Sequence, residues 1–413
     1  MIQSRLQYAI ALFAVTVFLL ALLFAISHFN TPTSPIETTG NDTPTVALPD
    51  ADLHLSLAHG QGPEDRQKID FYLNDAPTTH QDYASHGDSL HYHKSYSPRF
   101  LKTKTLSEES ICHYGLFTKS DTAVAIFYAD VTTFEEAERL SHLILCYRDY
   151  FPLAIVGNFT NETATFLCNI VDLKSSFDNN ILYINLEAVG FVHDEILSFD
   201  LAEPPYRLDL DAPMVAVTYD DGPNENTEVV LEAIAKNRAK ATFYVLGAQA
   251  DLYPNTLKAI FFGHNEVGNH SNLHEIFSSN KPSIIKKTVE DTNQKLRAIL
   301  GISAATVRPP TGAVTDRNGN PLKIGYPIIL WQIDTVDYRE NITREKIVSA
   351  ASEVLTDGAI ILMHDIHKTT ADAADSVFRA IHEKGFQTVT VSELLEFKAT
   401  SIENDRIYHS ATN

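Results

Sequence analysis

The pattern of apolar and polar positions divides the chain into stretches of different character. From residue 7 to residue 27 no charge occurs, and residues 8–26 are almost wholly apolar. A helix of that length covers about 29 Å, close to a bilayer's hydrocarbon core of about 30 Å, so a transmembrane helix is expected. Arg5 precedes the run and the next Lys or Arg is Arg66. By the positive-inside rule, residues 1–29 then form a cytoplasmic N-terminus and anchor, with the remainder outside. A cleaved signal peptide is the competing reading, because Ala25-Ile26-Ser27 has small residues at cleavage spacing.

Residues 30–100 turn to Thr, Pro, Asp, Gly and His without sustained periodicity, the composition of an extracytoplasmic linker or stalk. Its histidines, such as His54, His80 and His91, are spaced too irregularly for a ligand set and are read as solvated. Periodicity returns over residues 101–208, which read as a small α+β accessory domain. Thr133 and Glu136 form a capping box at the start of a helix whose Phe134, Ala137, Leu140, Ile144 and Tyr147 share one face. Strands are expected at residues 123–128, 153–156, 164–171 and 181–186.

Over residues 209–400, apolar runs at 215–217, 241–246, 304–307, 327–331, 359–361 and 387–391 alternate with helical patterns at 228–235, 284–300, 344–355 and 372–383. Gly301 stops the second of these helices. Strands alternating with helices long enough to cross over predict an α/β fold with a parallel sheet or barrel. Residues 401–413 read as a C-terminal tail.

Residues suited to chemistry gather at the ends of those runs. Val215-Ala216-Val217 leads into Thr218-Tyr219-Asp220-Asp221-Gly222-Pro223, so the paired aspartates lie at a strand's C-terminal mouth, where α/β folds place chemistry. His270-Ser271-Asn272-Leu273-His274 sets two histidines four apart, and on a helical turn their rings share one face. Alone, the first segment is more often a turn than a site, and the second is as readily a solvated helix face as a ligand pair. Together, one carboxylate and two imidazoles leave an open coordination position, as a catalytic zinc requires. Arg308-Pro309-Pro310-Thr311-Gly312, Asp334-Thr335-Val336-Asp337-Tyr338 and Leu362-Met363-His364-Asp365-Ile366-His367 each follow a further apolar run. All five segments are therefore expected on one rim of the sheet.

In this order the five motifs resemble those of the polysaccharide deacetylases, carbohydrate esterase family four, over about residues 211–398. The resemblance implies a distorted, incomplete β/α barrel for residues 209–400, with an open doubly wound sheet as the runner-up. It implies that Asp221, His270 and His274 bind one divalent ion, Zn²⁺ by preference, with Co²⁺ or another divalent ion as a substitute. Asp220 would then be the general base toward a water attacking an acetamide carbonyl. The backbone N–H of Thr311 would share oxyanion stabilisation with the ion. His364 would protonate the leaving amine, Arg308 would orient Asp220, and Asp337 would orient His364 and raise its proton affinity. Leu362 and Tyr338 would wall the acetyl pocket. Thr311 stands where the family frequently has Tyr, and Tyr338 where it frequently has Trp; both changes bear on substrate preference. His367 is read as solvated or groove-lining.

Composition narrows the partners. A formal charge of -21 repels a phosphate backbone, which argues against nucleic acid. Cys112, Cys146 and Cys168 all fall in the accessory domain, an odd count that allows at most one internal bridge. The layout of anchor, stalk, accessory domain and catalytic domain is similar to that of Gram-positive peptidoglycan N-acetylglucosamine deacetylases. The expected activity is therefore removal of N-acetyl groups from peptidoglycan glycan strands by a single-pass membrane protein whose C-terminal domains lie outside. Chitooligosaccharides, poly-N-acetylglucosamine and acetylated xylan are the rival substrates. Outside the enzymes, the alternative is a catalytically silent wall-binding protein.

Overall fold

The structure is a computed structural model describing residues 55–56, 89–90, 97–107, 111–119, 122–151, 153–156, 159–170, 198–200 and 205–412. The apolar run at 8–26, the strand expected at 181–186 and most of the segment 30–100 lie outside the described residues. No helix among the described residues is long and apolar enough to cross a membrane.

Ser97–Thr105 (β1), Ile111–Lys119 (β2), Thr122–Ala129 (β3), Leu153–Val156 (β4) and Ser198–Asp200 (β5) form a five-stranded sheet in that order. Only β3 and β4 run parallel, because the helix Phe134–Arg148 (α1) carries the chain back between them. The capping box is present: Thr133 accepts from the Glu136 N–H and the Glu136 carboxylate accepts from the Thr133 N–H. Ala137, Leu140, Ile144 and Tyr147 are buried, whereas Phe134 is half exposed and packs on Phe166. The stretch 164–171, expected as a strand, lies largely in the helix Asn161–Ile170 (α2). Thr160 and Thr163 exchange backbone-to-hydroxyl bonds that fix its first turn, and Ala164, Leu167 and Ile170 then fall on the buried side. A short apolar run fits either period, and the local cap decides.

In the second half the chain runs Met214–Asp220 (β6), Thr227–Asn237 (α3), Thr242–Val245 (β7), Gly247–Leu252 (α4), Pro254–Phe262 (α5), Glu266–Asn269 (β8) and Pro282–Leu300 (α6). It continues through Ile328–Ile329 (β9), Ile333–Asp334 (β10), Arg344–Ser352 (α7), Ala359–His364 (β11), Lys368–Glu383 (α8), Gln387–Val389 (β12), Val391–Lys398 (α9) and Ile407–Tyr408 (β13). Every strand pairing here is parallel. The order is β8-β7-β6-β11-β10, with β12 also on β6, and single bridges from Asn269 to Val307 and from Val307 to Ile328 lead on to β9. This is an α/β fold built on a parallel sheet. Residues 387–391 do not stay extended: Thr390 and Glu393 form a second capping box, so Val391 opens α9. Residues 401–413, expected as a tail, instead return to the sheet, where β13 pairs with β9 and Tyr408 is buried.

All seven residues of β6 are buried, as in a central parallel strand covered on both faces. Val215, Val217 and Tyr219 pack with α3, α8 and their neighbours in one core, while Met214 and Ala216 face another. That second core is continuous with the accessory domain through Leu140, Ile144 and Tyr147 of α1 and Leu394 and Leu395 of α9. Polar groups tie the same junction. Lys240 is buried against Asp149 at 2.6 Å and against Glu393, while Glu396 accepts from the hydroxyls of Tyr114 and Tyr147. Burial works against the Lys240 ammonium, but Glu393 and Asp149 outweigh it and hold its pKa above the ordinary value.

Candidate active site

The parallel strands end on one rim, and the rim carries the five motifs. Asp220 is the last residue of β6 and pairs in register with Tyr244 on one side and His364 of β11 on the other. Its carboxylate is buried. Oδ1 accepts from Arg308 Nη1 at 2.7 Å, and Oδ2 lies 3.6 Å from His270 Nε2. Arg308 is wholly buried, stacked 4.2 Å over the Tyr244 ring, and also donates to Thr218 Oγ1 and to the carbonyls of Ile329 and Leu330. A guanidinium held at this many points fixes the rotamer of Asp220.

Asp221 adopts a left-handed conformation, φ 74°. Its Oδ1 is 3.5 Å from both His270 Nε2 and His274 Nε2 and is buried without a hydrogen-bond partner. His270 follows β8 directly, and its Nδ1 lies 2.7 Å from the Arg308 carbonyl. That carbonyl can only accept, so Nδ1 carries the proton and Nε2 offers its lone pair to the cluster. Burial, the largest influence, lowers the His270 pKa and favours this neutral ring.

The two histidines do not share a helical turn, contrary to the sequence expectation. They lie on an irregular loop in which Ser271 and His274 have φ of 69° and 61°. The loop is shaped by its own side chains: Asn269 accepts from the Ser271 N–H, and Glu275 accepts from the N–H groups of Asn272 and Leu273. These bonds replace a helical ladder yet still bring the rings to 5.3 Å.

Across the rim, His364 Nδ1 lies 2.8 Å from Asp337 Oδ1. The other Asp337 oxygen accepts from the His364 N–H and from Thr370 Oγ1, each at 2.7 Å. Burial would lower the His364 pKa, but the bond to Asp337 and the charges of Asp220, Asp337 and Asp221 outweigh it and raise the value to about 9. Tyr338 stands edge-on to His364 at 5.6 Å and is half exposed, and Leu362 is buried on β11. His367 lies 5.9 Å from His364, ring to ring, partly buried. Thr311 occupies a left-handed position, φ 60°, in the short turn Pro310–Gly312 and is exposed.

All ten sequence-predicted site residues thus lie at or beside strand ends of this rim. Sequence reasoning did not single out Thr218, Thr370 or Asp365. Thr218 and Asp365 lie within the quoted motifs, but only the fold shows that Thr218 shares Arg308 with Asp220, and Thr370 reaches Asp337 from α8.

Among the described residues, Asp221, His270 and His274 are the group of metal-ligating side chains whose ligand atoms converge, all within 4.8 Å of one another. A buried, unpartnered carboxylate oxygen facing two imidazole nitrogens is costly without a cation, so the donor set fits a divalent ion.

A family model described as polysaccharide deacetylase matches residues 207–324. The peptidoglycan-N-acetylmuramic acid deacetylase PdaC of Bacillus subtilis is 36% identical over 205 residues, 49% of this chain and 43% of that protein. The peptidoglycan-N-acetylglucosamine deacetylase PgdA of Listeria monocytogenes is 35% identical over 184 residues, 44% of this chain and 38% of that protein. The chain therefore spans less than half the length of these relatives. A solved structure of B. subtilis PdaC aligns with 36% identity over 46% of this chain and 94% of that one, with a TM-score of 0.43. The family model lies across the strand end that bears Asp220 and Asp221 and the loop that bears His270 and His274, so residues 207–324 carry a polysaccharide deacetylase domain.

Proposed function

We propose that this chain removes N-acetyl groups from N-acetylglucosamine units of peptidoglycan, giving glucosamine units and acetate. One observation carries the reading: Asp220, the Asp221–His270–His274 cluster and the Asp337-bound His364 share one rim. A divalent ion, Zn²⁺ in this reading, when held by Asp221, His270 and His274, supplies a Lewis acid that polarises the acetyl carbonyl and acidifies a water. Asp220, oriented by Arg308, accepts the proton of that water as it attacks the carbonyl carbon. The Thr311 N–H donates to the oxyanion of the tetrahedral intermediate. His364, positively charged at neutral pH by its bond to Asp337, gives its proton to the nitrogen as the C–N bond breaks. Leu362 and Tyr338 form the walls against which the acetyl methyl and sugar lie.

The remaining parts fit an extracytoplasmic enzyme. Residues 8–26 anchor it, residues 30–100 span the distance to the wall, and residues 209–400 form a distorted, incomplete barrel packed on the accessory domain 101–208. A mature protein that begins near His28 would replace the anchor with secretion. The substrate is tested by acetate release, with and without chelator, from peptidoglycan, chitooligosaccharides, poly-N-acetylglucosamine and acetylated xylan. Chelator-sensitive release fastest from peptidoglycan, with free amines appearing on glucosamine rather than muramic acid, supports the reading. Release from none of them would favour a silent wall-binding protein.

A further inference from the structure

Asp365 follows His364 at the end of β11 and is completely buried. One carboxylate oxygen, Oδ2, accepts from Thr227 Oγ1 at 2.5 Å, and the other has no hydrogen-bond partner. Thr227 opens α3, and its hydroxyl oxygen also accepts from the Asn224 N–H at 2.8 Å. Nearby, Asn226 Nδ2 donates to the Ile366 carbonyl at 3.0 Å. The turn that follows Asp220 and Asp221 is therefore tied at several points to the segment that follows His364. The tie is close. A Cβ at Gly222 would lie 2.4 and 2.5 Å from the two Asp365 oxygens, so only glycine lets the carboxylate rest against this turn. Burying a carboxylate with one oxygen unpartnered is destabilising, and a fold selected for stability alone has no use for it here.

The geometry points to Asp365 as a positioning residue that, through Thr227 and contact with Gly222, fixes the turn bearing Asp220 and Asp221 relative to His364. This rests on the deacetylase reading above, since it assigns Asp365 to the aim of the same base, ligand and acid. Asp365 touches neither the substrate nor the ligand atoms; its effect is carried by the backbone of Gly222 and by the start of α3.

The test uses the full chain with Co²⁺ as the metal probe. In Thr227→Val, which keeps the side-chain shape but removes the donor, and in Asp365→Ala, kcat on the best substrate should fall by about 10- to 100-fold with KM little changed. Co²⁺ affinity should weaken and the visible Co²⁺ bands should shift, while thermal melts stay cooperative. Thr227→Ser and Asp365→Asn, which retain the hydroxyl or its acceptor, should recover most of both losses. Folded Thr227→Val with wild-type kcat, Co²⁺ affinity and spectrum would overturn the assignment, and this variant decides should Asp365→Ala not fold. A wild-type chain that binds Co²⁺ but releases no acetate would overturn the deacetylase reading alone, because the Co²⁺ readout needs no substrate.

Discussion

Asp220 and His364 are register partners on the adjacent parallel strands β6 and β11. Neighbouring strands lie roughly 4.8 Å apart, so the proposed base and acid start from adjacent backbone positions. Parallel pairing makes this placement possible, since both strands end on the same rim.

The two roles separate by substrate. Asp220→Asn should hold its place beside Arg308 but accept no proton, and His364→Ala should strand the leaving amine. Each should lower amide turnover by about 10²- to 10⁴-fold. An alkoxide leaves with less help than an amine, so an activated acetyl ester should recover part of its rate in His364→Ala and none in Asp220→Asn. Equal losses on ester and amide in His364→Ala would assign His364 to substrate positioning instead.

Removal of ligands tests the metal cluster without any substrate. Asp221→Ala or the double change His270→Ala/His274→Ala should abolish stoichiometric binding of Zn²⁺ or Co²⁺, measured by metal analysis after dialysis, and chelation of the wild type should abolish turnover. The measurement is best made with residues 30–100 removed as well as present, because that segment carries six histidines from His54 to His93. Undiminished tight binding in the double variant would show that the ion sits elsewhere.

The parts of this site that were legible in the sequence are those written as residue types at strand ends. A buried apolar run followed by Asp-Asp-Gly-Pro signals a strand mouth, and the motifs at Arg308, Asp334 and Leu362 repeat that arrangement. The backbone details were not legible in the same way. His270 and His274 meet because Ser271 and His274 take left-handed conformations, which a four-residue spacing cannot distinguish from a helix. The helix at Asn161–Ile170 was hidden because Ala164 to Ile170 satisfies strand and helix patterns alike until the Thr160–Thr163 cap is known. The ties through Thr370 and Thr227 depend on long-range pairing, and neither residue type declares a partner in advance.

The charge state of His364 gives a pH-dependent expectation for the metal-free protein. Its pKa of about 9 lies above the unfolded value of about 6.5, so the protonated pair with Asp337 stabilises the fold fully below pH about 6.5, and that contribution is lost as pH rises through about 9. An NMR titration of the imidazole should place the midpoint well above 6.5 and move it down in Asp337→Asn, where the hydrogen-bonded charge is gone. Adding Zn²⁺ should also move it down, because a dication offsets Asp221. A wild-type midpoint below 6.5 would leave His364 neutral at physiological pH and unable to start as the acid.

The junction with the accessory domain makes the last prediction. Lys240, on the segment leading into β7, is buried between Asp149 at the end of α1 and Glu393 in α9, with the Tyr150 ring 4.8 Å away. Asp149 also meets His264 and Arg148, but Lys240 is the one cation that reaches both carboxylates among the described residues. Lys240→Met keeps most of the volume and leaves two buried carboxylates facing each other, a change worth about 3–5 kcal/mol when one partner of a buried pair is lost. Urea denaturation should show that loss. Because one apolar core runs from α1 through α9 to Met214 and Ala216, the accessory and catalytic parts should still unfold in a single transition, followed in parallel by far-UV circular dichroism and by fluorescence of the sole tryptophan, Trp331. A loss under about 1 kcal/mol would mean the charges relax into water on mutation, and two separate transitions would show that the two parts fold independently.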